Sequence, residues 1–125
     1  MFKRIDHVEI IPSDYELTMA FYIDVLEFKL KQRLLLDPPL EEIAYLTLGD
    51  TTIELLKVTR PAPPAAGMPV GYRGIALEVE DMDRAVEYLT GKGVVITWGP
   101  MDLGDSIRAE IQDPDGLVIE LRYWN

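Results

Sequence analysis

Residues 71–81, GYRGIALEVED, read as a strand that enters a helix. Apolar Ile75, Leu77 and Val79 alternate with Gly74, Ala76 and Glu78, the period of a strand with two different faces. An earlier stretch, residues 4–14, RIDHVEIIPSD, has the same plan. Aligned so that Asp14 meets Asp81, His7 falls on Gly74. The chain therefore contains two related copies of one unit, and only one of them carries an imidazole at this position.

Outward from these two strands the pattern repeats element by element. In the first copy a strand at about 5–11 leads through Pro12, Ser13 and Asp14 into a helix at about 14–26. Leu17, Phe21 and Val25, with Ala20 beside them, recur at helical spacing. Strands follow at about 28–36, 43–48 and 51–58, the last two joined by a turn at Gly49 and Asp50. The run RPAPPAAGMPVGY can propagate neither a helix nor a central strand and reads as a linker. The second copy has a strand at about 74–79, a helix at 81–90 with Ala85, Val86 and Leu89 on its apolar face, and a stop at Gly91 to Gly93. Strands at about 94–98, 106–111 and 117–122 complete it, with DPDG as the last turn. The expected fold is α+β: two tandem βαβββ modules, 1–60 and 73–125, joined by the Pro/Ala/Gly linker 61–72 in one compact domain whose curved mixed sheet surrounds a cavity.

Composition narrows the functional classes. The chain has 125 residues, 48% of them hydrophobic, enough for a packed interior. A formal charge of −10 disfavours nucleic-acid binding, which needs clustered Lys and Arg, and is compatible with a cation or a basic small molecule as ligand. The absence of cysteine excludes disulfides, thiolate nucleophiles and Cys-based zinc sites. No apolar run is long enough for a membrane span, and the start MFKRIDHVEI lacks a signal-peptide apolar core, so a cytoplasmic location is expected.

Parity sorts the strand residues into faces. Val8 and Ile10 share one face of the first strand, and His7, Glu9 and Ile11 the other. Glu54 and Glu120 occupy matching contexts, IEL in both copies, and each points away from its apolar neighbours. If the helices cover the Ile/Leu/Val faces, then His7, Glu54, Gly74 and Glu120 line the uncovered one, with Glu9 and Glu78 toward or beyond its rim. An imidazole and two carboxylates brought together this way form a candidate metal site. The alternatives are a buried structural histidine and carboxylates paired with Arg33, Arg108 or Arg122. Gly74 either leaves room for a water or substrate atom or marks loss of the site.

The stretches RIDHVEIIPSDYELTMAFYIDVLEF, TTIELL, GIALEVEDMDRAV and DPDGLVIEL together resemble the vicinal oxygen chelate superfamily, which includes glyoxalases, bleomycin-resistance proteins and extradiol dioxygenases. The resemblance spans nearly the whole chain. It implies metal ligands at His7, Glu54 and Glu120, with Gly74 at a fourth position that is usually histidine. Extradiol dioxygenases and fosfomycin-resistance proteins need two histidines, and this chain has one. Methylmalonyl-CoA epimerase typically has Gln in place of Glu54. The ligand pattern is most similar to glyoxalase I (lactoylglutathione lyase) minus one ligand. That similarity implies a metal-dependent lyase or isomerase using Zn, Ni, Mn, Co or Mg, with enolisation of a small oxygenated substrate and proton transfer by Glu54 or Glu120. Tyr45, Gly74, Trp98 and Arg108 are the candidate substrate contacts. Relatives of this kind often form homodimers, in which each cavity is built within one chain or from two. The other reading is a metal-free protein that sequesters a small molecule, as bleomycin-binding relatives do.

Overall fold

The computed structural model describes all 125 residues. The chain divides into two compact units, residues Met1–Pro64 and Ala65–Asn125. The first contains β1 (Val8–Ile10), α1 (Tyr15–Ala20), β2 (Lys29–Leu35), β3 (Leu40–Leu48) and β4 (Thr51–Val58). The second contains β5 (Gly74–Glu78), α2 (Met82–Gly91), β6 (Trp98–Asp102), β7 (Ser106–Gln112) and β8 (Val118–Trp124). Their sheets have the same topology, β1-β4-β3-β2 and β5-β8-β7-β6. In each unit the first strand runs parallel to the last and the other pairs are antiparallel. The architecture is the expected α+β fold of two βαβββ-like modules.

In the first unit the Asp14 carboxylate accepts a hydrogen bond from the Leu17 N–H at 3.0 Å and caps α1. The helix then loosens into a π-helical turn, Phe21–Val25. The expected apolar face of Leu17, Phe21 and Val25 is not the buried one. Leu17 is 56% exposed, whereas Tyr15, Met19, Tyr22 and Leu26 are buried together with Thr18. Those residues also fall at helical spacing, and the large rings of Tyr15 and Tyr22 remove more area from water than Leu17 would. Tyr22 meets Phe21 and Phe28 edge-to-face, with ring centroids 5.5 and 5.7 Å apart. Helix α1 packs on β4, and the core takes up Ala44, Leu46, Ile53 and Leu55. Leu46 and Leu55 are fully buried, each contributing roughly 1.5–3 kcal/mol of hydrophobic stabilisation. Arg33 ties β2 to both α1 and β3, with Nη2 at 2.6 Å from Glu16 and 2.8 Å from Glu42. It therefore does not pair with Glu54, one of the partners the sequence left open.

In the second unit Asp81 caps α2 by accepting from the Arg84 N–H at 2.9 Å. Helix α2 packs on β8 and buries Met82 and Leu89, while Ala109, Ile111, Ile119 and Leu121 supply the sheet side of the core. The last hairpin is set by Asp113, whose Oδ1 accepts from the Asp115 and Leu117 N–H groups at 2.9 Å each. Three strands depart from expectation, among them β3, which begins at Leu40 rather than Ile43. β1 is shorter than 5–11, because only Val8 to Ile10 pair with β4, and Ile5 is 80% exposed. β6 begins at Trp98 rather than Val94. The Val94 N–H is taken by the Leu89 carbonyl at the end of α2, so the ladder to β7 starts only at Thr97, whose N–H donates to Glu110 O. The register then shifts between Trp98 and Met101, where Pro100 cannot donate to the ladder. No helix is long and apolar enough to cross a membrane.

Candidate functional site

The first unit brings His7 and Glu54 together. Register pairs Glu9 with Glu54 across β1 and β4, and Tyr45 with Glu54 across β3 and β4. The neighbouring pairs Val8–Ile53 and Ile10–Leu55 lie on the opposite face, so the parity reading of these strands agrees with the structure. Glu54 is 8% exposed, an uncommon degree of burial for a carboxylate. Its Oε2 lies 3.1 Å from His7 Nε2, and His7 Nδ1 lies 2.9 Å from Asp6 Oδ2. The hydrogen bond to Asp6 holds the His7 pKa above its ordinary value, partial burial works against it, and the charges of Glu54, Asp6 and Glu9 reinforce it. The same bond holds the Asp6 carboxyl below its ordinary range.

This geometry has a chemical consequence. A neutral imidazole has one N–H, yet both ring nitrogens here face carboxylate oxygens. An imidazolium satisfies both contacts, and so does a cation held against one nitrogen. Ligand atoms of His7, Glu9 and Glu54 all lie within 4.8 Å of one another. One nitrogen and two carboxylate oxygens suit a divalent cation, and Asp6 on the far ring nitrogen would fix the tautomer of a ligating histidine. This donor set suits a divalent cation, but it is His7, Glu9 and Glu54, and not the His7, Glu54 and Glu120 that the resemblance implied. Sequence reasoning set Glu9 toward or beyond the rim, and the structure brings it within reach of His7 and Glu54. Asp6 was missed. Its signal was only adjacency, since a strand normally points neighbouring side chains to opposite faces, but residues 6 and 7 precede the paired part of β1.

The second unit places Glu120 in different company. Arg108 Nε donates to Glu120 Oε1 at 2.6 Å, and Arg122 Nη2 lies 3.1 Å from Glu120 Oε2. Arg108 also donates through Nη2 to Glu110, which is 7% exposed and takes a further bond from Arg73 at 3.1 Å. The hydrogen bond to Glu120, with the Glu120 and Glu110 charges, pushes the Arg108 pKa up. The Arg108 guanidinium stacks 4.9 Å from the Trp98 ring centre, and that of Arg122 lies 5.0 Å from Trp124. Of the pairings left open by the sequence, Glu120 has those with Arg108 and Arg122. Glu110 and Arg73 were missed, although the DPDG turn gave a usable signal: the hairpin register sets Glu110 opposite Glu120 and Arg108 opposite Arg122.

Gly74 pairs with Val118 across β5 and β8. A Cβ at this position would overlap the Val118 carbonyl, lying 2.9 Å from its carbon and closer still to its oxygen. The direction in which a histidine would leave the strand is thus filled by backbone, which corrects the expectation of room for a water or substrate atom along that direction.

Comparison with known proteins agrees with this architecture. Residues 4–121 match the family described as Glyoxalase/Bleomycin resistance protein/Dioxygenase superfamily. The uncharacterized protein YaeR of Escherichia coli is 34% identical over 125 residues, covering 95% of each chain. A lactoylglutathione lyase of Neisseria meningitidis is 32% identical over 123 residues, covering 94% of this chain and 88% of the relative. The crystal structure of a glyoxalase family protein from Enterococcus faecalis superposes with a TM-score of 0.83 at 28% identity, covering 97% of this chain and 98% of that one. With a family match across residues 4–121 and the architecture of a solved glyoxalase family protein, the chain belongs to the glyoxalase/bleomycin resistance protein/dioxygenase superfamily.

Proposed function

We propose that the chain is a divalent-metal-dependent lyase or isomerase of the glyoxalase I type, acting on a small oxygenated substrate. The observation that carries this reading is His7, held with each ring nitrogen against a carboxylate, Asp6 at 2.9 Å and Glu54 at 3.1 Å. His7 and Glu54 would hold Zn, Ni, Mn, Co or Mg, with Glu9 as a nearby oxygen donor. When bound, the cation supplies Lewis-acid polarisation of a substrate carbonyl. Glu54 is assigned the proton transfer, its burial excluding water from the carboxylate as the proton moves. Tyr45, opposite Glu54, is assigned a substrate contact, as are Trp98 and Arg108, with Gly74 contributing backbone only. The family pattern assigns Glu120 a share in ligation and proton transfer, and Glu120→Gln tests it. The chain is proposed to act as a cytoplasmic homodimer, and light scattering that finds only monomer would overturn that assignment.

The test begins with protein stripped of metal and reloaded with Zn²⁺, Ni²⁺, Mn²⁺, Co²⁺ or Mg²⁺, with bound metal measured by mass spectrometry and calorimetry. One equivalent per chain is expected. Asp6→Asn should weaken binding roughly 10–100-fold, and His7→Ala should weaken it further. Formation of lactoylglutathione by the loaded protein is the first activity to assay, given the name of the Neisseria relative. Failure of every metal to bind through His7 would refute the reading. A second reading, a metal-free binding protein, is favoured by one observation: in the second unit Glu110 and Glu120 are already answered by Arg73, Arg108 and Arg122 without a cation.

A further inference from the structure

The two units share a topology but differ in what surrounds the acid of the last strand. In the first, Tyr45 lies opposite Glu54, and the next pair on that face is Ile43 with Leu56. In the second, Glu110 lies opposite Glu120, and the next pair is Arg108 with Arg122. An aliphatic pair in one copy is thus a guanidinium pair in the other. In a chain of net charge −10 this gathers three guanidiniums, Arg73, Arg108 and Arg122, on one face with Glu110 and Glu120, and with Glu78 opposite Arg122 on β5.

Donors remain to be used there. Arg108 commits Nε to Glu120 and Nη2 to Glu110, leaving Nη1 with both hydrogens available. Glu110, nearly buried, fixes Arg108 from below, and Trp98 stacks on its plane. Arg122 is held by Ser106 at 3.2 Å and by Trp124. Both Arg108 and Arg122 keep about a fifth of their side-chain surface open, 23% and 21%. These guanidiniums are ordered before any ligand arrives, partly desolvated, and reachable.

We propose that this face of the second unit is an oxyanion subsite that binds the carboxylate of a small organic acid through Arg108 and Arg122. A planar carboxylate matches the flat fork of a guanidinium, which can offer two parallel N–H donors. The subsite lies wholly within residues 65–125; it rests on the proposed assignment of Arg108 as a substrate contact, and not on a metal held by His7 and Glu54.

The chain's only two tryptophans, Trp98 and Trp124, lie over these two arginines, so intrinsic fluorescence reports on the subsite directly. Metal-stripped protein is titrated with lactate, with lactamide as its uncharged counterpart, and with inorganic phosphate. A saturable change with lactate is expected, with none from lactamide and a weaker one from phosphate. Arg108→Met and Arg122→Met should each weaken lactate binding at least about tenfold. Arg108→Lys, which keeps the charge but loses the fork, should weaken it as well, and it covers the case in which Arg108→Met does not fold. His7→Ala should bind lactate normally, which separates this subsite from the metal centre. No saturable response to lactate, an equal response to lactamide, tighter binding of phosphate, or unaltered binding in Arg108→Lys would overturn the assignment.

Discussion

Replacement of Gly74 by alanine tests whether this position can hold any side chain. Three atoms of Val118 crowd the site of the new Cβ: the carbonyl oxygen, the carbonyl carbon at 2.9 Å and Cβ at 3.0 Å. Two of these are backbone atoms of β8, the strand parallel to β5, so relief requires one strand to move against the other. Overpacking of this kind costs about 1–3 kcal/mol. Loss of glycine's freedom in the unfolded chain gives back about 0.4–1 kcal/mol, leaving a net destabilisation of about 1–2 kcal/mol. With roughly 2.1 cal/mol/K of unfolding entropy per residue, 125 residues translate each kcal/mol into about 4 °C, so Tm should fall by about 4–8 °C. Gly91→Ala is the control. It lies in α2, its backbone φ is not in the left-handed region, and a Cβ there meets nothing within 4 Å. The same chemical change should raise Tm there by a few degrees, since alanine favours helix by up to about 1 kcal/mol over glycine. Differential scanning calorimetry on both variants decides the matter. A Gly74→Ala protein as stable as the parent would refute the argument, and with it the claim that a histidine cannot return to β5 without backbone movement.

Three further expectations follow from single contacts. Thr18 is fully buried and its Oγ1 has no hydrogen-bond partner, so Thr18→Val should be neutral or stabilising by about 1 kcal/mol, read as a higher urea midpoint. Glu110→Ala removes a nearly buried carboxylate from Arg108 and Arg73; with Arg73 half exposed, the loss should be about 2–3 kcal/mol in urea unfolding. The Glu42 carboxyl is held below its ordinary value of 4.5, chiefly by its hydrogen bond from Arg33. Because the folded state binds that proton less tightly, the contribution is present above about pH 4.5 and is lost as pH falls through the lower folded value. Arg33 is 39% exposed, so the effect is about 0.5–1 kcal/mol, and Glu42→Gln should flatten the acid limb of the stability curve by that amount.

The sequence by itself determined the duplicated plan and the faces of its strands. Period-2 alternation in GIALEVE and TTIELL, with turn residues at Gly49 and in DPDG, specifies register, because a slip of one residue would turn Glu54 or Glu120 into the core. The strand bearing Glu54 came out at its expected bounds for this reason. The buried stripe of α1 was misjudged because apolar character alone does not say which of two overlapping stripes packs, and Tyr15, Thr18 and Met19 won over Leu17 through contact with the sheet. β6 was misplaced because the end of α2 takes the Val94 N–H, a choice made only once helix and sheet are packed.

At the candidate site, His7, Glu54 and Glu120 were legible as strand-borne polar residues among apolar neighbours, but their partners were not. Only the tertiary structure decided that His7 stands between two carboxylates while Glu120 is gripped by two arginines. Pairing between side chains depends on distances of a few tenths of an ångström across neighbouring strands, which alternation does not encode. Composition could show Gly74 only as a missing imidazole. The close approach of the Val118 backbone, a property of strand pairing rather than of either residue, is what closes that position to a side chain.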